Sequence, residues 1–256
     1  MDKNVNLLFK KFYKIRNLDY VRSVRNGPTG VGATFEYLIG KEEENFEIPD
    51  FYNIEIKTRR AYSKSYISLF CAVPTGGTFN ESKRLRDNYG YRDPIYNDLK
   101  QLYTQINAYT MTKVGLWHYF KLCVDKDNKK LILNIYNYKQ ELIDNITYWD
   151  FDILEEKLYR KLKILALVKA WNTYKDGNEF FKYYWMNVYK LKNFDAFIDA
   201  IVNGKVCVSL RIGSFHDEKR YGQVSNHGVG FVIKEEDLFD IYDVYKWANI
   251  KIIKNA

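Results

Sequence analysis

Two carboxylates and an ammonium group stand close together in the run Ile48-Pro-Asp50-Phe-Tyr-Asn-Ile-Glu55-Ile-Lys57-Thr58. Asp50 and Glu55 can hold a hard divalent cation through oxygen ligands, leaving places for water and phosphate. A cation so held lowers the pKa of water and offsets the charge that builds on a phosphorane. A lysine at the position of Lys57 can orient the attacking water, help deprotonate it, or offset negative charge. The set suits metal-assisted hydrolysis of a phosphodiester. A further acid, Glu36, lies upstream and can serve the same pocket as an outer ligand or as a ligand for a second ion. Taken alone the pattern is loose, because charged alternation on an exposed strand face has the same look.

The elements that must position these groups are legible. Alternate residues of a strand face one side, so Glu55 and Lys57 point one way and Ile54 and Ile56 the other, into a core. Asp50 follows Pro49, where a turn can swing it beside Glu55. Asn26–Gly32 is a turn-rich loop feeding a helix of about nine residues that stops at Gly40. Val31, Phe35, Leu38 and Ile39 share one face of that helix, and Glu36 sits at the edge of it.

The rest of the chain mixes helices and strands without a regular alternation. Residues 4–16 read as an amphipathic helix, as do 150–162 and 194–202. Strand-like runs occupy 54–58, 66–72, 117–125, 130–137, 164–171, 180–188, 206–212 and 230–233. Residues 74–99 read as a long polar excursion. The fold class expected is α/β or α+β with a mixed sheet, and no internal repeat is found.

The chain has 256 residues, with 46% hydrophobic and 17% aromatic content, enough for a substantial core in one large domain or two modest lobes. Forty basic residues against 32 acidic ones give a net charge of +8, which suits a polyanion such as DNA. No apolar run is long enough for a membrane span, and the basic start lacks the apolar core of a signal peptide. A cytoplasmic location is expected. The three cysteines, Cys71, Cys123 and Cys207, each lie in an apolar stretch and read as small buried hydrophobes in a reducing compartment rather than as disulfides or zinc ligands.

A polar loop near the C-terminal end is dense in side-chain donors: Arg211, Ser214, His216, Asp217, Lys219, Arg220, Gln223, Ser225, Asn226 and His227. Arginine pairs with guanine, asparagine and glutamine with adenine, and acids with cytosine, so such a loop can read base edges. It is equally the composition of a solvated hairpin loop. Two of the three histidines lie here, but no Cys or Glu stands at a spacing that suits zinc. Arg59, Arg60, Lys64, Arg84, Arg86 and Arg92 are candidates to grip DNA phosphates, or to form a plain solvated face.

Several of these stretches together resemble the MvaI/BcnI family of type II restriction endonucleases. They are Gly27-Pro-Thr-Gly-Val-Gly-Ala-Thr-Phe-Glu36-Tyr-Leu, Lys41-Glu-Glu-Glu-Asn45, Pro49-Asp50, Ile54-Glu-Ile-Lys-Thr58 and Ser68-Leu-Phe70. In the same order follow Asp144-Asn-Ile-Thr-Tyr-Trp-Asp-Phe-Asp152, Arg211-Ile-Gly-Ser-Phe-His216 and Asn226-His-Gly228. The resemblance implies a restriction-endonuclease-like, MutH-like fold: a mixed central sheet flanked by helices, with two lobes forming a DNA-binding cleft. Residues 1–115 would be mainly catalytic and 116–256 mainly recognising. It implies Asp50, Glu55 and the Ile56 backbone carbonyl as metal ligands, Lys57 as catalytic lysine and Glu36 as the helix acid. Magnesium, with manganese as substitute, would be the cofactor. The partner would be double-stranded DNA, cut by a monomer at a short, nearly palindromic site, and a companion DNA methyltransferase is implied. A MutH-like strand-specific nickase and a non-catalytic DNA-binding protein are the alternatives. The chain departs from the family pattern at Ser225-Asn226 and Val232, so the bases read are expected to differ.

Overall fold

A computed structural model describes residues 2–40 and 49–247. The Lys41–Asn45 stretch and Ile48, part of the motifs quoted above, lie outside the described residues. In chain order the elements are α1 (Lys3–Arg16), β1 (Val21–Arg22), α2 (Gly30–Leu38), β2 (Ile54–Arg60), β3 (Ile67–Cys71), α3 (Glu81–Tyr89), β4 (Tyr91–Arg92) and β5 (Lys100–Ile106). Then come β6 (Thr112–Val114), β7 (His118–Asp125), β8 (Lys130–Asn137), β9 (Leu142–Asp150), α4 (Phe151–Leu162), β10 (Ile164–Lys175) and β11 (Asn178–Leu191). The chain continues through α5 (Phe194–Val202), β12 (Val206–Ser214), β13 (Val224–Ile233), α6 (Leu238–Ile241) and β14 (Tyr242–Trp247). The mixed α+β class expected from the sequence is what the chain adopts.

Two compact units share the chain. The first takes residues 1–65, 158–192 and 242–256, and the second takes 66–157 and 193–241. Neither unit is one continuous stretch, so they do not divide the chain at residue 115.

In the first unit the strand order is β1-β11-β10-β2, with β14 on the same edge of β11 as β1. β2 and β10 run parallel, with Ile54 opposite Ile164 and Lys57 opposite Leu167. A parallel pair needs a long crossover, and this one carries the whole 66–157 segment and returns through α4. The core of this unit joins Val5, Leu8, Phe12 and Ile15 of α1 with Val31 and Phe35 of α2 and Ile54 and Ile56 of β2. The α1 positions recur at helical spacing, which is why one face of it is apolar. Asp2 caps that helix by accepting from the Asn4 backbone N–H at 2.8 Å. Truncating Ile54 or Ile56 to alanine would cost about 2–5 kcal/mol, the usual range for a buried Ile.

In the second unit one sheet runs β3-β13-β12-β5-β4 and another runs β6-β7-β8-β9. Phe70 and Phe231 stack at 4.9 Å, and Trp149 and Phe197 pack around Phe231. The Trp149 indole donates to the Ala72 carbonyl at 3.0 Å, which satisfies its buried N–H.

Three expectations change here. The 74–99 excursion holds a real helix, α3, which Asn80 caps by accepting from the Lys83 N–H. Its apolar content is too low to give a periodic signal. β5, β9 and β14 are strands the pattern did not mark. Cys71 and Cys123 are exposed, and only Cys207 is buried. The first two occupy outward positions of half-buried strands, where alternation outweighs the apolar character of their neighbours.

Candidate active site

The residues Phe51-Tyr52-Asn53-Ile54 close a tight turn, with Phe51 and Ile54 exchanging backbone hydrogen bonds of 2.9 Å each way. Tyr52 pays the conformational cost, with φ at 55°, in the left-handed region. A non-glycine residue held there stores on the order of 1–3 kcal/mol, and such strain gathers at functional sites. The turn brings Asp50 alongside β2, where its Oδ2 accepts from the Ile56 N–H at 2.9 Å.

Glu55 is the centre of the site and is 1% exposed. A parallel strand covered on both faces buries both sets of its side chains. Glu55 is therefore an enclosed carboxylate, not one of a row of charges on an exposed strand face. Lys57 Nζ donates to Glu55 Oε1 at 2.6 Å. Lys161, from the last turn of α4, approaches the same oxygen at 3.4 Å. The other oxygen, Oε2, is buried with no hydrogen-bond partner among the described residues. Burial raises the Glu55 carboxyl above its ordinary value. The neighbouring Asp50 charge adds to that rise, while Lys57 and Lys161 oppose it.

A buried carboxylate oxygen without a partner is costly. An orphaned Oε2 on a carboxylate that feels the Asp50 charge is the environment a hard divalent cation, which takes oxygen ligands, would satisfy. The residues present thus fit such an ion. Asp50 and Glu55 would hold it, with the Ile56 carbonyl, on the same strand, as the backbone donor.

Glu36 lies half-buried on α2. That helix comes close to β2 at a glycine: a Cβ on Gly32 would stand 3.2 Å from Thr58 Oγ1 and 3.8 Å from Glu36 Oε1. The negative charge of Glu36 reaches the buried Tyr183 phenol, whose hydroxyl donates to the Val31 carbonyl at 2.7 Å. Among the described residues, no three His, Cys, Asp or Glu side chains gather to hold one ion. Glu55 and Lys57 are in direct contact, Asp50 bonds the Ile56 N–H and acts electrostatically on Glu55, and Glu36 is a further carboxylate on the neighbouring helix α2.

Lys161 is the site residue that sequence reasoning missed. Its signal was tertiary. Because Ile164 pairs with Ile54, the residue three positions before β10 arrives at the start of β2.

The arginines sort by partner. Arg60 pairs with Glu179 through two bonds of 2.6 and 2.7 Å and also donates to the Gly27 and Pro28 carbonyls. Arg59 is buried and donates to the Ser63 and Ser65 carbonyls at 2.8 and 2.6 Å. Arg84 bonds Glu81, Asp144 and Thr147. Arg86 is buried and donates to Ser214 Oγ at 2.8 Å and to the Gly213 and Gly222 carbonyls. These four organise loops of their own units. Lys64 and Arg92 are exposed.

The polar loop joins β12 to β13, and Arg86 ties its two ends. Ser214 and Ser225 are buried. Ser214 donates to the Lys100 carbonyl at 2.7 Å, and Ser225 Oγ meets His227 Nε2 at 3.2 Å. Asn226 donates to Ser82 Oγ and accepts from the Gly228 N–H, both at 2.8 Å. His216 Nε2 meets Asp93 Oδ2 at 3.0 Å, and Asp217 pairs with Arg220 at 2.8 Å. Gln223, His227 and Lys219 are exposed. Arg211 is half-buried at a bulge opposite β13, with Nη2 3.9 Å from Cys71 Sγ. Its Nε is buried without a hydrogen-bond partner among the described residues. Gly228 and Gly230 leave room for it, since a Cβ on Gly230 would stand 3.4 Å from Arg211 Nη2.

A profile of the MvaI/BcnI restriction endonuclease family matches residues 9–242. The chain is 31% identical to restriction endonuclease MvaI in a complex with its cognate DNA substrate, with a TM-score of 0.87, covering 96% of this chain and 99% of that one. Against MvaI in the absence of DNA the TM-score is 0.64, again at 31% identity, with 96% and 98% coverage. A search of curated proteins gives no match. Among the described residues, no helix is long and apolar enough to cross a membrane.

Proposed function

This chain belongs to the MvaI/BcnI restriction endonuclease family, and we propose that it cuts double-stranded DNA at a short, nearly palindromic site as a magnesium-dependent monomer. It is a site-specific deoxyribonuclease of a family that uses divalent metal ions. The observation that carries the mechanism is the Glu55 carboxylate, with Oε1 held by Lys57 at 2.6 Å and Oε2 buried without a partner among the described residues.

In this reading Asp50, Glu55 and the Ile56 carbonyl hold magnesium, and manganese substitutes for it. When bound there, the ion supplies Lewis-acid stabilisation of the charge that develops on the phosphate. Lys57 orients the attacking water and stabilises the negative charge of the transition state. Glu36 acts from α2 as an outer acid. The unit that carries β2 does the cutting, and the unit that carries the β12–β13 loop does the reading. Arg211 and Gln223 meet base edges, and His216, Asp217, Arg220 and His227 complete that surface. Ser214, Ser225 and Asn226, already bonded within the protein, hold it in shape. Lys64 and Arg92 contact phosphates, which positions without specifying. A companion methyltransferase protects the host site.

Plasmid digestion with magnesium tests the proposal. Linear product at the end point is expected, and persistent open circles would indicate a nickase instead. Glu55→Ala and Lys57→Ala should bind duplex DNA but cut it about 10²–10⁴-fold more slowly, the range for losing a positioned catalytic group. Failure of the wild type to cut any mixed-sequence DNA would overturn the reading.

A further inference from the structure

The end of α4 carries cations that the cutting centre does not use. Arg160 and Lys163 flank Lys161 in the sequence, and Lys190 and Lys192 come from the end of β11 and the residue beyond it. Strand register explains why they meet. Ile164 pairs with Ile54 on one side and with Lys190 on the other, so three strand ends lie side by side. Together with Tyr52 and Asn53 these four basic residues line a cavity of about 510 Å³, and among the described residues none that lines it is acidic.

Cations in the last turn of a helix are favoured by its dipole. That accounts for Arg160 but not for Lys163, which lies just beyond the helix, nor for Lys190 and Lys192, which come from a different element. Lys163 and Lys190, both exposed, bring positive charge to one concavity from two different elements, and such a concavity attracts a polyanion. The cavity also adjoins the cutting centre by direct covalent continuity: Arg160 precedes Lys161, which approaches Glu55 at 3.4 Å, and Tyr52 and Asn53 belong to the turn that places Asp50.

We propose that this cavity grips the DNA backbone beside the scissile bond, binding phosphates that flank the recognised bases. The inference rests on the nuclease reading above. It assigns a phosphate-binding role to Lys163 and Lys190, which no motif in the sequence marks. Their contacts would be blind to base identity and would show in the dependence of affinity on salt.

The test compares wild type with the Lys163→Gln/Lys190→Gln double variant. DNA affinity is measured by fluorescence anisotropy over a series of salt concentrations, without magnesium. Two duplexes are used, one trimmed to the mapped cut site and one extended on both sides. Each phosphate neutralised contributes about 0.9 to the slope of log affinity against log salt. The wild-type slope should be steeper on the extended duplex by about 2, and the double variant should lose that increment. Its cut-site map should be unchanged, and Lys163→Arg/Lys190→Arg should restore the slope. A double variant that keeps the wild-type slope on the extended duplex overturns this inference alone. A wild type that binds neither duplex overturns the nuclease reading and this inference with it. Both lysines are exposed, so the variants should fold, as an unchanged melting temperature would show.

Discussion

Lys161 and Glu55 meet at 3.4 Å, on the carboxylate oxygen that Lys57 also holds. Two ammonium groups on Oε1 hold the carboxylate and leave Oε2 as the oxygen that a bound ion would meet. Lys161 would then be a positioning residue, acting through Glu55.

Replacing Lys161 with Gln should slow single-turnover cutting by about 10–100-fold, the cost of losing a group that orients a metal ligand. Lys161→Arg should recover most of the rate. The acid limb of the rate profile should move to higher pH in Lys161→Gln, because a cation that lowers the Glu55 pKa is gone. A variant with unaltered rate and pH profile would remove Lys161 from the mechanism.

Acid should inhibit cutting earlier than an ordinary carboxylate predicts. Burial raises the Glu55 carboxyl above its reference value of 4.5, and only the ionised form ligates a cation. Activity should therefore fall as pH drops through that raised value. The stability consequence has the opposite sign. The folded state takes up the proton more readily than the unfolded one, so this group's contribution falls as pH rises through the folded pKa. A divalent ion should offset that loss. At mildly alkaline pH, magnesium should raise the melting temperature of wild type and leave Glu55→Gln unmoved.

Arg84 holds two acids at once, Glu81 at 2.6 Å and Asp144. Desolvation raises the Glu81 pKa, but hydrogen bonds from Arg84, Thr147 and the Thr78 backbone outweigh it, bringing it down to about 2. The stability this provides is complete above the unfolded value of 4.5 and is lost as pH falls toward about 2. Arg84→Ala should destabilise the fold by about 3–5 kcal/mol, because it strands buried carboxylates. Urea unfolding across that acid range would measure both effects.

Arg211 should decide part of the sequence that is cut. Arg211→Ala should relax discrimination at one base pair by about 1–3 kcal/mol, the worth of a bidentate arginine–guanine contact. Sequenced cut ends should then show an added permitted base. A map identical to wild type would exclude Arg211 from reading.

The sequence by itself determined the chemistry that is available. Glu55 and Lys57 alternate on one strand between buried isoleucines, and a local turn after Pro49 brings Asp50 to the Ile56 N–H, so short-range periodicity marked them as candidates and the family resemblance along the chain singled them out. It also marked α1, α2, α4 and α5, whose apolar positions recur at helical spacing. Tertiary structure decided how those groups are used. The burial of Glu55 follows from the parallel pairing of β2 with β10, which also delivers Lys161 from about a hundred residues further along. Arg59, Arg84 and Arg86 look like surface cations in the sequence, yet each is spent on carbonyls or carboxylates inside its own unit. No one-dimensional pattern encodes those assignments, because a charge's partner depends on which distant backbone groups the fold leaves unsatisfied.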